Sequence, residues 1–221
     1  MPAAGAELER QYGRRFDAQA AYRDRVWAVL VRDYFQRFVP AGARVLDLGC
    51  GYGQFSNNVV AGTTYAMDLN PRSRALLAGD VRFFEQDCSQ RWPFDDGELD
   101  VVFTSNFLEH LPDKAAVSRT LAEARRCLRA GGTIVCLGPN ARYVPGAYWD
   151  FWDHHVALTD RSIAEALELA GLTVTTRIPR FLPFTMAEGP EAPAFLVRLY
   201  LRLPVAWRFF GGQFLVTASR P

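Results

Sequence analysis

Two groups of residues in this 221-residue chain have types and spacing that can do chemistry. The first is the run Val45-Leu46-Asp47-Leu48-Gly49-Cys50-Gly51-Tyr52-Gly53-Gln54-Phe55. Alternating glycines directly after an apolar strand let the backbone approach a ligand closely at the carboxyl edge of a sheet, where open α/β folds bind small molecules. A dinucleotide fingerprint, G-x-G-x-x-G, needs a glycine where Gln54 stands, and here an acid precedes the first glycine by two. The second group is the three histidines, His110, His154 and His155, whose ordinary pKa suits proton transfer near neutral pH. Asp153, beside His154, can orient an imidazole through its second nitrogen. The bland alternative is that His110 bonds a backbone carbonyl and that the histidine pair caps the helix starting at Thr159. No metal is expected: Asp153, His154 and His155 are adjacent and seldom converge on one ion, and Cys50, Cys88, Cys127 and Cys136 lack C-x-x-C spacing.

The elements that must hold these groups alternate along the chain. Apolar positions at helical period from Glu7 to Phe38 predict one or two leading helices, stopped by Pro40-Ala41-Gly42. A strand follows at Arg44 to Leu48, then a helix from about Gln54, a strand Thr64 to Asp68, a helix from Pro71 and a strand Val81 to Glu85. Leu99 to Ser105 reads as the next strand. Asp113 to Leu128 reads as an amphipathic helix with Asp113 at its N-cap and Gly131-Gly132 at its end. A strand Thr133 to Leu137, a helix from Thr159 to Gly171, a β-branched strand at Thr173 to Thr176 and a last strand Gln213 to Ser219 complete the series. Strands alternating with helices predict an α/β fold, a doubly wound and mostly parallel sheet. The chain is expected to be a single domain, 1–221, with a helical cap at 1–40, a core at 41–178 and 212–221, and an insertion at 179–211 containing helices Ala194 to Leu203 and Val205 to Phe210.

Composition narrows the partners. With 49% hydrophobic residues there is material for a sizeable core, and a formal charge of +1 gives no field to draw in a polyanion. Nucleic acid is therefore not expected as a partner. The N-terminus has no apolar core of a signal peptide, no stretch is long enough to span a membrane, and unpaired cysteines suit a reducing cytoplasm.

The D-x-G-x-G-x-G spacing of Asp47 to Gly53 resembles motif I of the class I S-adenosylmethionine-dependent methyltransferases. Asp68-Leu69-Asn70 at the end of the second strand is similar to that family's ribose-binding acid, with Leu69 against the adenine. Asp87-Cys88 looks like its adenine-reading pair, and Val101 to Leu111, with Ser105 and Asn106 near the methionine end, looks like its fourth-strand motif. Leu128 to Thr133 resembles the turn into its fifth strand. The stretch Asp153-His154-His155-Val156-Ala157-Leu158-Thr159 resembles the D-H-x-x-x-(F/L)-(S/T) segment of small-molecule methyltransferases, and Tyr12-Gly13-Arg14-Arg15-Phe16 looks like the cap over the cofactor. The resemblance implies a seven-stranded Rossmann-like sheet with an antiparallel last strand. It implies binding of S-adenosylmethionine by Asp47, Gly49, Cys50, Gly51, Gly53, Phe55, Asp68, Leu69, Asn70, Asp87, Cys88, Ser105, Asn106 and Tyr12.

Methyl transfer from a sulfonium is an in-line displacement, so the protein aligns the reactants and, for a hydroxyl acceptor, takes its proton. His154 is the first choice of base, His110 the second, with His155 and Asp153 as further members. The aromatics Tyr143, Tyr148, Trp149, Phe151 and Trp152 suit stacking on an acceptor ring and equally suit a satellite core. Absence of an (N/D)-P-P-(Y/F) motif after the fourth strand speaks against base methylation in nucleic acids. The resemblance thus implies a small-molecule acceptor, a sugar or natural-product hydroxyl before a small amine. A non-catalytic cofactor-binding partner subunit stands as the rival from another class. The insertion reads first as a lid helix, and second as a segment lying in a membrane surface with its arginines toward lipid phosphates.

Overall fold

A computed structural model describes residues 20–184 and 191–221. Its centre is a seven-stranded sheet in the order β3-β2-β1-β4-β5-β7-β6. The strands are β1 (Arg44–Leu48), β2 (Thr63–Asp68), β3 (Arg82–Glu85), β4 (Leu99–Ser105), β5 (Leu128–Pro139), β6 (Thr173–Ile178) and β7 (Gln213–Ser219). β3, β2, β1, β4 and β5 pair in parallel, whereas β7 runs antiparallel to both β5 and β6. The chain order reverses between β1 and β4, which opens the crevice at their carboxyl ends where ligands of doubly wound sheets sit. The predicted sheet, its antiparallel last strand and most strand bounds are as expected.

The helices are α1 (Ala20–Asp33), a single turn α2 (Ser73–Leu76), α3 (Lys114–Cys127), α4 (Asp160–Leu169), α5 (Ala194–Leu201) and α6 (Pro204–Phe210). Two apolar clusters cover the sheet. One joins Trp92, Leu121, Leu167 and Phe214, and the other joins Trp27, Phe35, Phe103, Phe181 and Trp207. The described part of the leading cap, α1, belongs to the second cluster and is therefore part of the folded core. Tyr12 and the rest of the cap motif lie outside the described residues. Among the described residues no helix is long and apolar enough to cross a membrane.

Two expectations change. The helix from Gln54 is a run of turns over 51–58, in which Asn57 N and Val59 N keep helical bonds to Gly53 O and Phe55 O, whereas Asn58 N bonds Phe55 O while its own Nδ2 donates to Gln54 O. The Asn57 side chain bonds Leu76 O and Ala78 N, and Asp47 holds Ser56 N. Gly131 does not close α3, which ends at Cys127 when Leu128 turns extended (ψ 136°); Gly131, at φ +73°, lies within β5.

Two helix starts match their sequence signals. Asp113 Oδ1 accepts the Ala116 amide at 2.7 Å, and Thr159 and Ser162 form a reciprocal capping box. Asp113→Ala should therefore cost about 1 kcal/mol, seen as a fall in Tm of roughly 2–4 °C with cofactor affinity unchanged. An unchanged Tm would mean that water replaces the cap at no cost.

Candidate active site

The loop after β1 is shaped by left-handed glycines: Gly49, Gly51 and Gly53 have φ of +70°, +50° and +70°. Gly49 N and Cys50 N both donate to Met67 O at the end of β2, and Gly51 N donates to Asp68 Oδ2 at 2.8 Å. A side chain at Gly49 would collide with the Phe107 ring, 2.2 Å from the place of its Cβ, and one at Gly53 would meet Leu77 at 2.6 Å. The loop is thus pressed between the tips of β2 and β4, with its backbone bare.

Asp68 sits on this loop. Its Oδ2 accepts from Gly51 and its Oδ1 from Asn70 N, both at 2.8 Å. Burial raises its pKa, with the amides of Asn70, Gly51 and Leu69 opposing. Each carboxylate oxygen retains a further acceptor direction, and Leu69 beside it is half exposed. A paired acceptor next to an apolar face fits the diol and base of a nucleoside. Asp87 is half-buried at the end of β3, one oxygen bonded to Ser89 N at 2.8 Å. These positions fit the group the sequence implies.

Several expected contacts turn inward instead. Asp47 is buried and accepts Ser56 N at 3.2 Å and Ser56 Oγ at 2.5 Å, and burial pushes its carboxyl up to about 7. It braces the glycine loop from behind. The Phe55 ring stacks on Phe103 at 3.8 Å in the core, Asn70 Oδ1 caps Arg72 N, and the Cys88 thiol lies 3.4 Å from Thr120 Oγ1. The Cys50 thiol is buried too. The sequence places these residues at the loop, but not the direction of their side chains.

At the tip of β4, Ser105 and Asn106 remain half-buried, and Asn106 adopts φ +48° with its N–H on Leu137 O. That left-handed residue turns the chain into the short 3-10 turn Leu108–His110. There His110 Nδ1 lies 3.0 Å from Asp153 O and 3.2 Å from Asp153 Oδ2. Burial works against the imidazolium, yet the hydrogen bond to Asp153 and the charges of Glu109 and Asp153 outweigh it, so the His110 pKa lies above its ordinary value. Asp153 therefore orients a histidine 43 positions away. His154 is buried, its ring stacked on Phe151 at 4.9 Å and set edgewise to His110 and Tyr148, each at 4.8 Å. His155 is exposed and contributes its backbone, N–H on Glu109 O. The helix at Thr159 is capped by its own residues, so neither histidine serves as its cap.

Sequence reasoning missed Glu109, Phe107 and Gln54. Glu109 is 1% exposed, its pKa raised by burial, and its Oε1 has no hydrogen-bond partner among the described residues. One ligand atom from each of Glu109, His110 and His154 lies within 4.8 Å of the others, a set able to hold a metal ion that the adjacent Asp153-His154-His155 triplet does not make. Gln54 links α1 to the glycine loop, accepting from Arg23 Nη2 and donating to Asp24 Oδ1, both at 3.1 Å. Nothing in residue type marks Gln54 or Phe107. The aromatic cluster divides: Tyr148 is fully buried, its hydroxyl donating to Val156 O and accepting Leu158 N, whereas Trp149 and Trp152 are 57% and 85% exposed.

Residues 19–177 match the family model described as a methyltransferase domain. The 2-methyl-6-phytyl-1,4-hydroquinone methyltransferase of Synechocystis is 30% identical over 207 residues, covering 82% of this chain and 62% of that protein. The ubiquinone biosynthesis O-methyltransferase of Xanthomonas axonopodis is 35% identical over 107 residues, covering 44% of each. The matches thus span less than two thirds of these relatives' lengths. A SAM-dependent methyltransferase from Archaeoglobus fulgidus superposes with a TM-score of 0.65 at 19% identity, over 90% of this chain and 94% of that one. A Haloferax volcanii chain, from a complex with the Trm112 methyltransferase activator, gives 0.66 at 22% identity over 99% and 96%.

Proposed function

The chain belongs to the family of methyltransferase domains, and from that premise we propose that it transfers a methyl group from S-adenosylmethionine to a hydroxyl of a small ring acceptor. The observation that carries the reading is the apposition, on neighbouring strand ends, of the Asp68–Gly51 contact at 2.8 Å and the Asp153–His110 pair at 3.2 Å. When bound, the cofactor supplies an electrophilic methyl carbon on a sulfonium. Asp68 holds the ribose hydroxyls, Leu69 lies against the base and Asp87 meets the adenine edge, while the bare glycine backbone makes room. His110, with Nδ1 committed to Asp153, takes the acceptor hydroxyl proton at Nε2 as the oxygen attacks. His154 positions the His110 ring from the side. Trp149 and Trp152 offer flat apolar faces for the ring.

The relatives named for a hydroquinone and for ubiquinone biosynthesis support a phenolic hydroxyl, and a sugar hydroxyl stands second. An amine acceptor is disfavoured because a neutral amine is nucleophilic enough to attack before it loses a proton, which gives the His110–Asp153 pair less to do. Calorimetry with S-adenosylhomocysteine tests the cofactor half: Asp68→Ala should bind roughly 10- to 150-fold more weakly, the loss of a charge-assisted bond, with an unchanged circular dichroism spectrum. A thermal shift with NAD and none with S-adenosylhomocysteine would overturn it.

A further inference from the structure

The two helices of the insertion are anchored from beneath and bare on top. Leu201 and Trp207 are buried in the second apolar cluster, Tyr200 Oη donates to Phe181 O at 2.7 Å, and Trp207 Nε1 donates to Tyr200 O at 2.8 Å. Arg25 and Glu191 further tie the segment to α1 at 3.1 Å. These contacts fix which face looks outward. On α5 and just past its end, Phe195, Leu196, Leu199 and Leu203 are 42–64% exposed; on α6, Val205, Phe209 and Phe210 are 60–71% exposed. Monomers seldom leave so many large apolar side chains side by side in water.

The pattern around each helix is that of an interfacial segment. At about 100° per residue, the three outward residues of α5, Phe195, Leu196 and Leu199, fall within an arc of about 100°, opposite Val197 and Leu201, and Arg202 and Arg198 lie roughly 20–60° beyond one edge of that arc. Arg208 stands similarly beside Val205 and Phe209 on α6. Three arginines and no acidic residue occur from Ala192 to Gly211. Arg202 and Arg208 are exposed, whereas Arg198 pairs with Asp33 at 3.2 Å. Arginine at the border of an apolar strip is placed to extend its guanidinium to phosphates while its stem lies along acyl chains. Both ends of the insertion join the sheet at its carboxyl edge, since β6 runs parallel to β5 and β7 starts there.

We propose that the outer face of α5 and α6 docks the protein onto an anionic membrane surface. The phenyl and aliphatic side chains enter the interface, and Arg202 and Arg208 meet the lipid phosphates. This goes beyond the methyl-transfer reading and does not depend on it, because docking is measured without cofactor or acceptor. The experiment is sedimentation of the full chain with vesicles of phosphatidylcholine alone, or of phosphatidylcholine with phosphatidylglycerol. The wild type should pellet with the anionic vesicles and much less with the neutral ones. Phe209→Ser with Phe210→Ser should lower partitioning about tenfold or more. Arg202→Glu with Arg208→Glu should remove the preference for phosphatidylglycerol, at about fivefold per charge. All these side chains are exposed, and an unchanged Tm confirms that the variants fold. A chain that stays in the supernatant with both vesicles overturns the proposal. So does a chain that sediments without lipid as a dimer dissolved by the Phe209/Phe210 substitutions, which would assign the face to a second copy.

Discussion

Gly49→Ala is expected to abolish binding of S-adenosylhomocysteine in calorimetry while leaving a folded protein by circular dichroism. Two effects combine at this position. A φ of +70° costs an L-residue about 1–2 kcal/mol, and the added methyl would lie 2.2 Å from Phe107 Cγ. A contact that short cannot be met by a few tenths of an ångström of relaxation. Either the glycine loop lifts from Met67 O and Asp68, or the 3-10 turn that carries His110 shifts. Gly97→Ala separates the two effects: its φ is +74°, but the nearest atom to the new methyl is 3.7 Å away. Strain alone should lower its Tm with cofactor affinity intact. Phe107→Ala in the Gly49→Ala background should restore part of the binding. Wild-type affinity in Gly49→Ala alone would mean that the loop backbone does not cradle the cofactor.

The same loop shows what a sequence can and cannot specify. Alternation of β-branched runs with amphipathic segments makes the sheet legible, because period-2 and period-3.6 burial each leave their trace. Asp113 and Thr159 are legible as caps because their side chains act on backbone three residues away. Local rules fail where the contact is distant. Nothing near Phe55 says that its ring stacks on Phe103, and nothing near Asp153 says that its carboxylate meets His110 and not a solvated surface. The stretch from Gln54 reads as a helix, but the Asn58 side chain takes Gln54 O and leaves the helical ladder incomplete. Glu109 reads as a surface acid of a polar turn, yet the chain from Phe151 to Val156 folds over it and leaves it 1% exposed. The proposed cofactor side of the site is carried by short motifs at the ends of β1, β2 and β3, each readable within its own stretch of chain. The acceptor side is assembled from loops after β4 and β5, and their convergence is a tertiary fact.

That convergence makes the largest kinetic prediction, on the acceptor side. His110→Ala should reduce turnover by roughly 10²–10⁴-fold, the usual worth of a general base, with the affinity for S-adenosylhomocysteine changed far less. The pH profile carries the sign. The base must be neutral to accept a proton, and against the opposing effect of burial Asp153 and Glu109 hold the His110 pKa above its ordinary value, so kcat/KM should fall as pH drops, through a limb displaced upward from that of a free imidazole. Asp153→Asn removes the hydrogen bond to a carboxylate and its charge. Burial, which opposes the imidazolium, then has less against it, and the acidic limb should move to lower pH while the plateau falls as the ring loses its orientation. A purely structural His110–Asp153 pair would lower Tm in both variants and leave the limb in place. His154→Ala distinguishes positioning from base: with Phe151 and Tyr148 still around the gap, turnover should fall less than in His110→Ala and the limb should stay. If His154→Ala instead shows the deeper loss and the displaced limb, the proton passes through His154 and His110 is its support.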